Sequence, residues 1–409
     1  MADKKVYVYI NLSGKDYLVG EMWSHFSKNK ETSSFEYSNE WLNRQDSFSL
    51  EPNLFLGKGK QLARKGIKIF GAFGDSAPDT WGRILMRRYE AKLAKEENRP
   101  IKTLNEIDYL LGVNDEARQG ALRFKEAAGA DFLFPSSIKS IPPLVYLPKL
   151  LAAADKVEAN DEKFEDIRLL LLPGSSLGGA RPKASVIDKA ENLCIAKFPK
   201  NTDTHNLVLW EAVALTLAKN AGINTPDWFL EKIGNKDVII IKRFDRNGKT
   251  RIPFLSAMSM LNAVDNDEIT HSYLDIADSL RQYGSSPKAD LVELWKRIVF
   301  SIMISNTDDH LRNHGFLYES EMGWRLSPVY DINPNPQNAG SLTTYISQDD
   351  NSADIKLAFS VAEYFGLKNN EANFIADEIK KSVQKWVDTA KSLGLKRSEI
   401  EQMSNAFKV

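Results

Sequence analysis

Along the first part of the chain, apolar and polar positions alternate. In VYVYINLSGKDYLVGEMW, residues 6–23, β-branched and aromatic residues flank Ser13-Gly14-Lys15, which predicts two strands joined by a tight turn. The period then lengthens. In DTWGRILMRRYEAKLAKEENRP, Trp81, Leu85 and Tyr89 recur at helical spacing until Pro100 stops the run. The first 135 or so residues therefore read as a mixed α/β unit. Prolines cluster in FLFPSSIKSIPPLVYLP, a natural boundary.

Beyond it, IRLLLLPGSSLGGARPKASVIDKAENLCIAKFP reads as an apolar segment, a Gly/Ser loop, a strand, a turn and a second strand. HNLVLWEAVALTLAKNAGI has a helical period closed by Gly222, and DVIIIKRFD is a buried strand. From about residue 255 the pattern turns helical. Leu291, Leu294, Trp295, Ile298, Ile302 and Met303 keep helical spacing and predict a core helix ending at SNTDD. EANFIADEIKKSVQKWVDTAKSLGL and RSEIEQMSNAF predict two further amphipathic helices. The expected organisation is α+β: an N-terminal α/β subdomain at 1–137, a strand-rich lobe with a glycine loop at 138–250, and a helical lobe at 251–409.

Composition narrows the partners. The 54 basic and 55 acidic residues leave a net charge of -1, so nucleic acid is not the default ligand of the molecule as a whole. A single cysteine, Cys194, excludes an intrachain disulfide and any multi-cysteine zinc site. The sequence shows no signal-type apolar stretch and no apolar run of the ~18 residues a membrane span needs. A cytoplasmic protein with no membrane partner is expected.

The chemistry concentrates in SNTDDHLRNHGFLYES. Two aspartates, two histidines and an asparagine fall between Asp308 and His314, in a chain with five histidines. His310 and His314 have the i, i+4 interval of a zinc pair, but Leu311 stands where a His-Glu-x-x-His site needs its glutamate. Asp308 and Asn313 instead have the interval of a kinase catalytic loop, in which an aspartate orients the hydroxyl nucleophile and the asparagine holds magnesium. Downstream, WRLSPVYDINP supplies Asp331 as a second oxygen ligand. Upstream, LCIAKFP supplies Lys197 for nucleotide phosphates, NLVLWEAVAL supplies Glu211 to hold that lysine, and PGSSLGGARPKA supplies a loop. In that loop Gly178 and Gly179 give backbone room, and Arg181 or Lys183 adds positive charge. Each part alone has an ordinary reading as a cap, a solvated charge, a connector or a turn. Their order along the chain is what favours phosphoryl transfer.

The motifs resemble those of the HipA family of serine/threonine kinases, the toxins of bacterial toxin–antitoxin pairs. SLGGARPK, Ser176 to Lys183, resembles the family's phosphate loop; TDDHLRN, Thr307 to Asn313, its catalytic loop; and LSPVYDINP its magnesium loop. IKRFDR resembles the strand leading to the adenine hinge, and FEYSNEWLN with FGAFGDSAPDTWGRILMRR the accompanying smaller domain. The resemblance implies a bilobal kinase-like fold and ATP- and magnesium-dependent phosphorylation of a protein hydroxyl. Asp308 would be the base, Asn313 and Asp331 the magnesium ligands. Ser176, Gly178, Gly179, Ala180, Lys183, Lys197, Glu211, His310 and the stretch Lys242, Arg243, Phe244 would serve the nucleotide.

It further implies autophosphorylation at Ser176, with Ser175 as the neighbouring alternative, which would place up to about two negative charges where ATP phosphates belong. A HipB-type DNA-binding antitoxin would be the partner, with DNA reached only through it, and an aminoacyl-tRNA synthetase a substrate by analogy. A small-molecule phosphotransferase on the same scaffold and a catalytically silent partner-binding protein are the alternatives. Asp309 stands where small residues are common in relatives, and neither it nor His314 has an evident task. On this reading His314→Ala largely spares turnover.

Overall fold

The computed structural model describes residues 3–28, 30–133, 141–171, 179–264, 269–319, 323–337 and 340–409. It divides into two compact units, Met1–Asn201 with Trp228–Leu255, and Thr202–Asp227 with Ser256–Val409.

The first unit opens with the hairpin the alternation predicts. Strands β1 (Lys4–Leu12) and β2 (Lys15–Ser27) pair antiparallel across Ser13 and Gly14, whose φ values of 50° and 80° suit a turn that follows the strand twist. Val6, Val8 and Ile10 are wholly buried on one face of β1. With β3 (Lys30–Tyr37), β4 (Gln61–Leu62) and β5 (Leu122–Lys125) these strands form a sheet ordered β4-β3-β2-β1-β5. A second sheet holds β6 (Lys183–Ile187), β7 (Leu193–Lys197), β8 (Trp228–Ile233) and β9 (Lys236–Lys242), ordered β6-β7-β9-β8. Strand β8 escaped the sequence reading because it is an edge strand with no fully buried position.

The predicted helix with Trp81 and Leu85 runs Thr80–Glu96. Both side chains share one buried core with Leu150, Ile167, Val186, Ala196 and Ile240. That core thus draws on residues from either side of the proline-rich segment; the boundary expected at 137/138 itself lies outside the described residues.

Glu51 is a buried acid in this unit. Its Oε2 accepts from the Ala72 backbone N–H at 2.6 Å, beside the short helix Gly71–Gly74. Burial above all, with Asp75 adding to it against the backbone donors, pushes the carboxyl up to about 7. A carboxyl raised in the folded state binds its proton more tightly there than when unfolded. Its stabilising effect is therefore present in acid and is lost as pH rises from the ordinary carboxylate range through about 7. Glu51→Gln is expected to flatten that slope and to raise the melting temperature at pH 8 relative to the parent chain. Parallel melting curves at pH 5.5 and 8 check this, and equal slopes in both proteins refute it.

The second unit is mainly helical. Helix Leu207–Asn220 is buried on nearly every side, with Trp210 set against Trp386 and Phe407, and Gly222 follows it at φ 71°. Helix Pro287–Met303 buries Leu291, Leu294, Trp295, Ile298 and Ile302, as the spacing predicts. The helical stretch after residue 255 is interrupted by a hairpin, Gly315–Glu319 paired with Gly323–Leu326. The tail departs from the two predicted helices. Its first pattern is split into Asn369–Val383 and Trp386–Ser392, because Trp386 turns inward to stack on Phe407 at 4.3 Å. Among the described residues no helix is long and apolar enough to cross a membrane.

Candidate active site

Helix Pro287–Met303 delivers the aspartate-rich segment at its C-terminal end. Ser305, at φ 51°, turns the chain out of the helix. Leu311–Asn313 then forms a single 3-10 turn, and His314 is extended, so His310 and His314 do not share a helical face. The zinc-pair geometry is absent. Asp308 is exposed, and no hydrogen bond involves its carboxylate among the described residues. Asn313 is 6% exposed and its Nδ2 donates to the Asp308 carbonyl at 3.0 Å. That bond fixes the aspartate's backbone and turns the other amide atom, Oδ1, into an available cation ligand.

The loop carrying Asp331 is stitched to this segment. Asn333 N–H donates to Asn306 Oδ1 at 3.0 Å, Asn335 N–H to the Ser305 carbonyl at 3.1 Å, and Asn335 Nδ2 to Thr307 Oγ1 at 3.0 Å. Tyr330 Oη donates to the Arg312 carbonyl at 2.7 Å. Between these ties Asp331 sits at φ 56°, a left-handed conformation that aspartate tolerates better than most residues but that still stores strain. Asp331 and Asn313 together offer a carboxylate and an amide oxygen, a donor set that suits magnesium, which also takes phosphate oxygens and water. Thr343 and Thr344 hold the segment from elsewhere in the unit, donating to the carbonyls of Thr307 at 2.9 Å and Asp309 at 2.6 Å.

Asp309 points inward. It is 3% exposed, accepts from Tyr273 Oη at 2.5 Å, and lies 3.2 Å from His314 Nε2. Burial would raise its carboxyl, but His314 and the Tyr273 hydrogen bond outweigh it and hold the group below the usual range. Burial, reinforced by Asp309, raises the Tyr273 phenol well above its ordinary value. The two residues that had no task in the sequence are thus one buried cluster under the loop that presents Asp308. His310, the remaining histidine of the motif, is half-buried.

In the first unit, Lys197 on β7 lies directly opposite Lys183 on β6, so their side chains leave the sheet on one face. The Lys183 charge, predicted to face a ligand, is instead 2% exposed and held 2.7 Å from Asp79 Oδ2. Gly179, at φ 90°, and Ala180 are exposed, whereas Ser175, Ser176 and Gly178 lie outside the described residues. At the end of β9, Lys242 pairs with Cys194, and the Arg243 N–H donates to the Leu193 carbonyl at 3.0 Å. The Arg243 guanidinium faces inward, bonded to Asp245 Oδ1 at 2.8 Å and to the Arg118 carbonyl at 3.1 Å. Asp245 is a buried carboxyl that Arg243 and Arg246, against burial, hold far below its usual range. Phe244 lies against Phe254, ring centroids 6.3 Å apart. Glu211, in the second unit, is 4% exposed on helix Leu207–Asn220.

Residues 175–387, more than half of the chain, match the family model described as the HipA-like C-terminal domain. This chain belongs to the HipA-like family. The serine/threonine-protein kinase toxin HipA of Shewanella oneidensis is 20% identical over 356 residues, spanning 78% of this chain and 73% of that protein. A solved structure from the same organism, of HipA, HipB and operator DNA, contains a chain that superposes on this one with a TM-score of 0.67. The identity is 16%, over 98% of this chain and 94% of that one. The fold is therefore HipA-like across both units. Matches to proteins of Haemophilus influenzae and Sinorhizobium fredii cover 64% and 33% of those relatives' lengths.

Tyr273 and Asp79 were not singled out in the HipA-like sequence. Asp79, before a helical run, carries a legible N-cap signal. Its second oxygen, turned to a lysine 104 residues away, carries none.

Proposed function

We propose that this chain is an ATP- and magnesium-dependent serine/threonine protein kinase, acting in the cytoplasm as the toxin of a toxin–antitoxin pair. The observation that supports it most is the build of the 305–313 segment. An exposed Asp308 carboxylate stands on a backbone clamped by Asn313, with the Asp331 loop tied to the same few residues. Asp308 would take the hydroxyl proton of the substrate on its carboxylate and orient the oxygen for attack on the γ-phosphorus. Asn313 Oδ1 and the Asp331 carboxylate would hold magnesium, which when bound neutralises charge on the phosphate oxygens. Lys197 would meet the nucleotide phosphates, Gly178, Gly179 and Ala180 would supply close backbone, and residues 242–244 would border the adenine.

The finer assignments follow the family. Ser176, or Ser175 beside it, would be the autophosphorylation site; a HipB-type antitoxin would be the partner; a translation protein such as an aminoacyl-tRNA synthetase would be the substrate. Expression of the parent chain and of Asp308→Ala in a bacterial host, followed by growth curves and phosphoproteomics, tests the reading. Growth arrest and new phosphosites are expected only with the parent chain. Arrest that survives the substitution would point to sequestration of a partner, and identical phosphoproteomes would remove the kinase assignment.

A further inference from the structure

The loop Gly179–Lys183 is fastened to the start of helix Thr80–Glu96 by side chains with almost no solvent exposure. Asp79 is the helix N-cap, its Oδ1 accepting from the Gly82 N–H at 2.7 Å. Its Oδ2 accepts from Lys183 Nζ at 2.7 Å, and the two side chains are 4% and 2% exposed. The same ammonium donates to the Gly179 carbonyl at 3.1 Å, closing the loop on itself. Trp81 adds two bonds, from its backbone N–H to the Gly179 carbonyl at 3.3 Å and from Nε1 to the Lys183 carbonyl at 3.1 Å. One aspartate thus caps a helix with one oxygen and holds the loop lysine with the other.

We propose that Asp79 is a positioning residue for the phosphate loop, and that Lys183 serves nucleotide binding by locking the loop to this helix instead of by touching phosphate. The inference rests on the nucleotide-binding reading above and assigns work to a residue outside the phosphate, catalytic and magnesium loops. An ammonium buried in a carboxylate pair is a poor phosphate ligand, because leaving the pair strands a buried charge. As a lock it has a different value. It fixes the Gly179 carbonyl inward, and so sets which way the neighbouring backbone N–H groups face, at a place where Gly179 takes a left-handed φ of 90°.

Asp79→Asn separates the two tasks of the aspartate, since asparagine caps a helix as well as aspartate does but carries no charge. Lys183→Met and the double variant relieve the buried ammonium that Asp79→Asn leaves unpaired, so a folding failure in one variant does not end the test. Two measurements are made on the full chain: amide hydrogen exchange across 179–187 without nucleotide, and calorimetric titration with ATP. Faster exchange in each variant is expected, together with an ATP Kd raised about tenfold. The double variant should be no weaker than either single one, and the loss should fall on the KM for ATP more than on kcat. Unchanged exchange in Asp79→Asn overturns the lock. Loss of ATP affinity in Lys183→Met with none in Asp79→Asn overturns it too, because Lys183 would then act directly on phosphate. Should the parent chain bind no ATP, the nucleotide reading falls, and the exchange data alone decide whether the lock exists.

Discussion

Asp331→Asn is expected to lower phosphoryl transfer at least about a hundredfold while leaving the melting temperature nearly unchanged. The substitution suits the site unusually well as a probe. Asparagine tolerates the left-handed φ of 56° that Asp331 adopts, so the backbone geometry survives. The ties from Tyr330, Asn333 and Asn335 to the 305–312 segment involve other residues and survive as well. At the proposed magnesium site the substitution removes one negative charge. The expected signature is therefore a magnesium requirement shifted to higher concentration together with the lower rate. Asp308→Asn, by contrast, should lose about 10²–10⁴ in rate with the magnesium midpoint in place, since its proposed role is to accept a proton and not to ligate the metal. Rates measured across a magnesium titration separate the two. A full rate in Asp331→Asn at low magnesium would remove the metal role.

How far the sequence led differs from element to element. The first hairpin, helix Thr80–Glu96 and the earlier turns of helix Pro287–Met303 were legible because each buries one face, and burial writes a period of two or 3.6 into the residues. Strand β8 and the break before Trp386 were not. The first hides at a sheet edge, and the second depends on where Phe407 arrives from the far end of the chain. In the site, Asp308, Asn313 and Asp331 stood out by interval and order. Lys183 stood out as well, but its direction did not: only the fold puts Asp79 against it. The same limit affected Asp309. A carboxylate next to Asp308 suggests a metal site in one dimension, whereas the fold turns it inward against Tyr273 and His314. His314 follows from this, and His314→Ala ceases to be a neutral substitution, because the ring is 2% exposed and packs edge-on against Tyr273 at 5.5 Å.

Asp309→Ala should accordingly act on stability before it acts on chemistry. The change leaves the Tyr273 hydroxyl, wholly buried, without its acceptor, and removes the only carboxylate within ion-pair distance of His314 among the described residues. Removing one member of such a buried polar cluster costs about 3–5 kcal/mol, enough to lower the melting temperature of a unit of this size by roughly 10 °C. The carboxyl lies below its ordinary range when folded, so its contribution is present at neutral pH and is lost as pH falls through that lowered value. The acid limb of the stability curve should therefore be shallower in Asp309→Asn than in the parent chain. Tyr273→Phe removes only the donor and should cost less, about 1–3 kcal/mol. Because the two side chains bond directly, the double variant should recover at least about 0.5 kcal/mol relative to the sum of the single losses. Activity should fall with the fold of the loop, since the Asp309 carbonyl and its neighbours hold Asp308 in place through Thr344 and Asn313. A variant lacking the Asp309 carboxylate that melts and turns over like the parent would show that the cluster does not hold the loop.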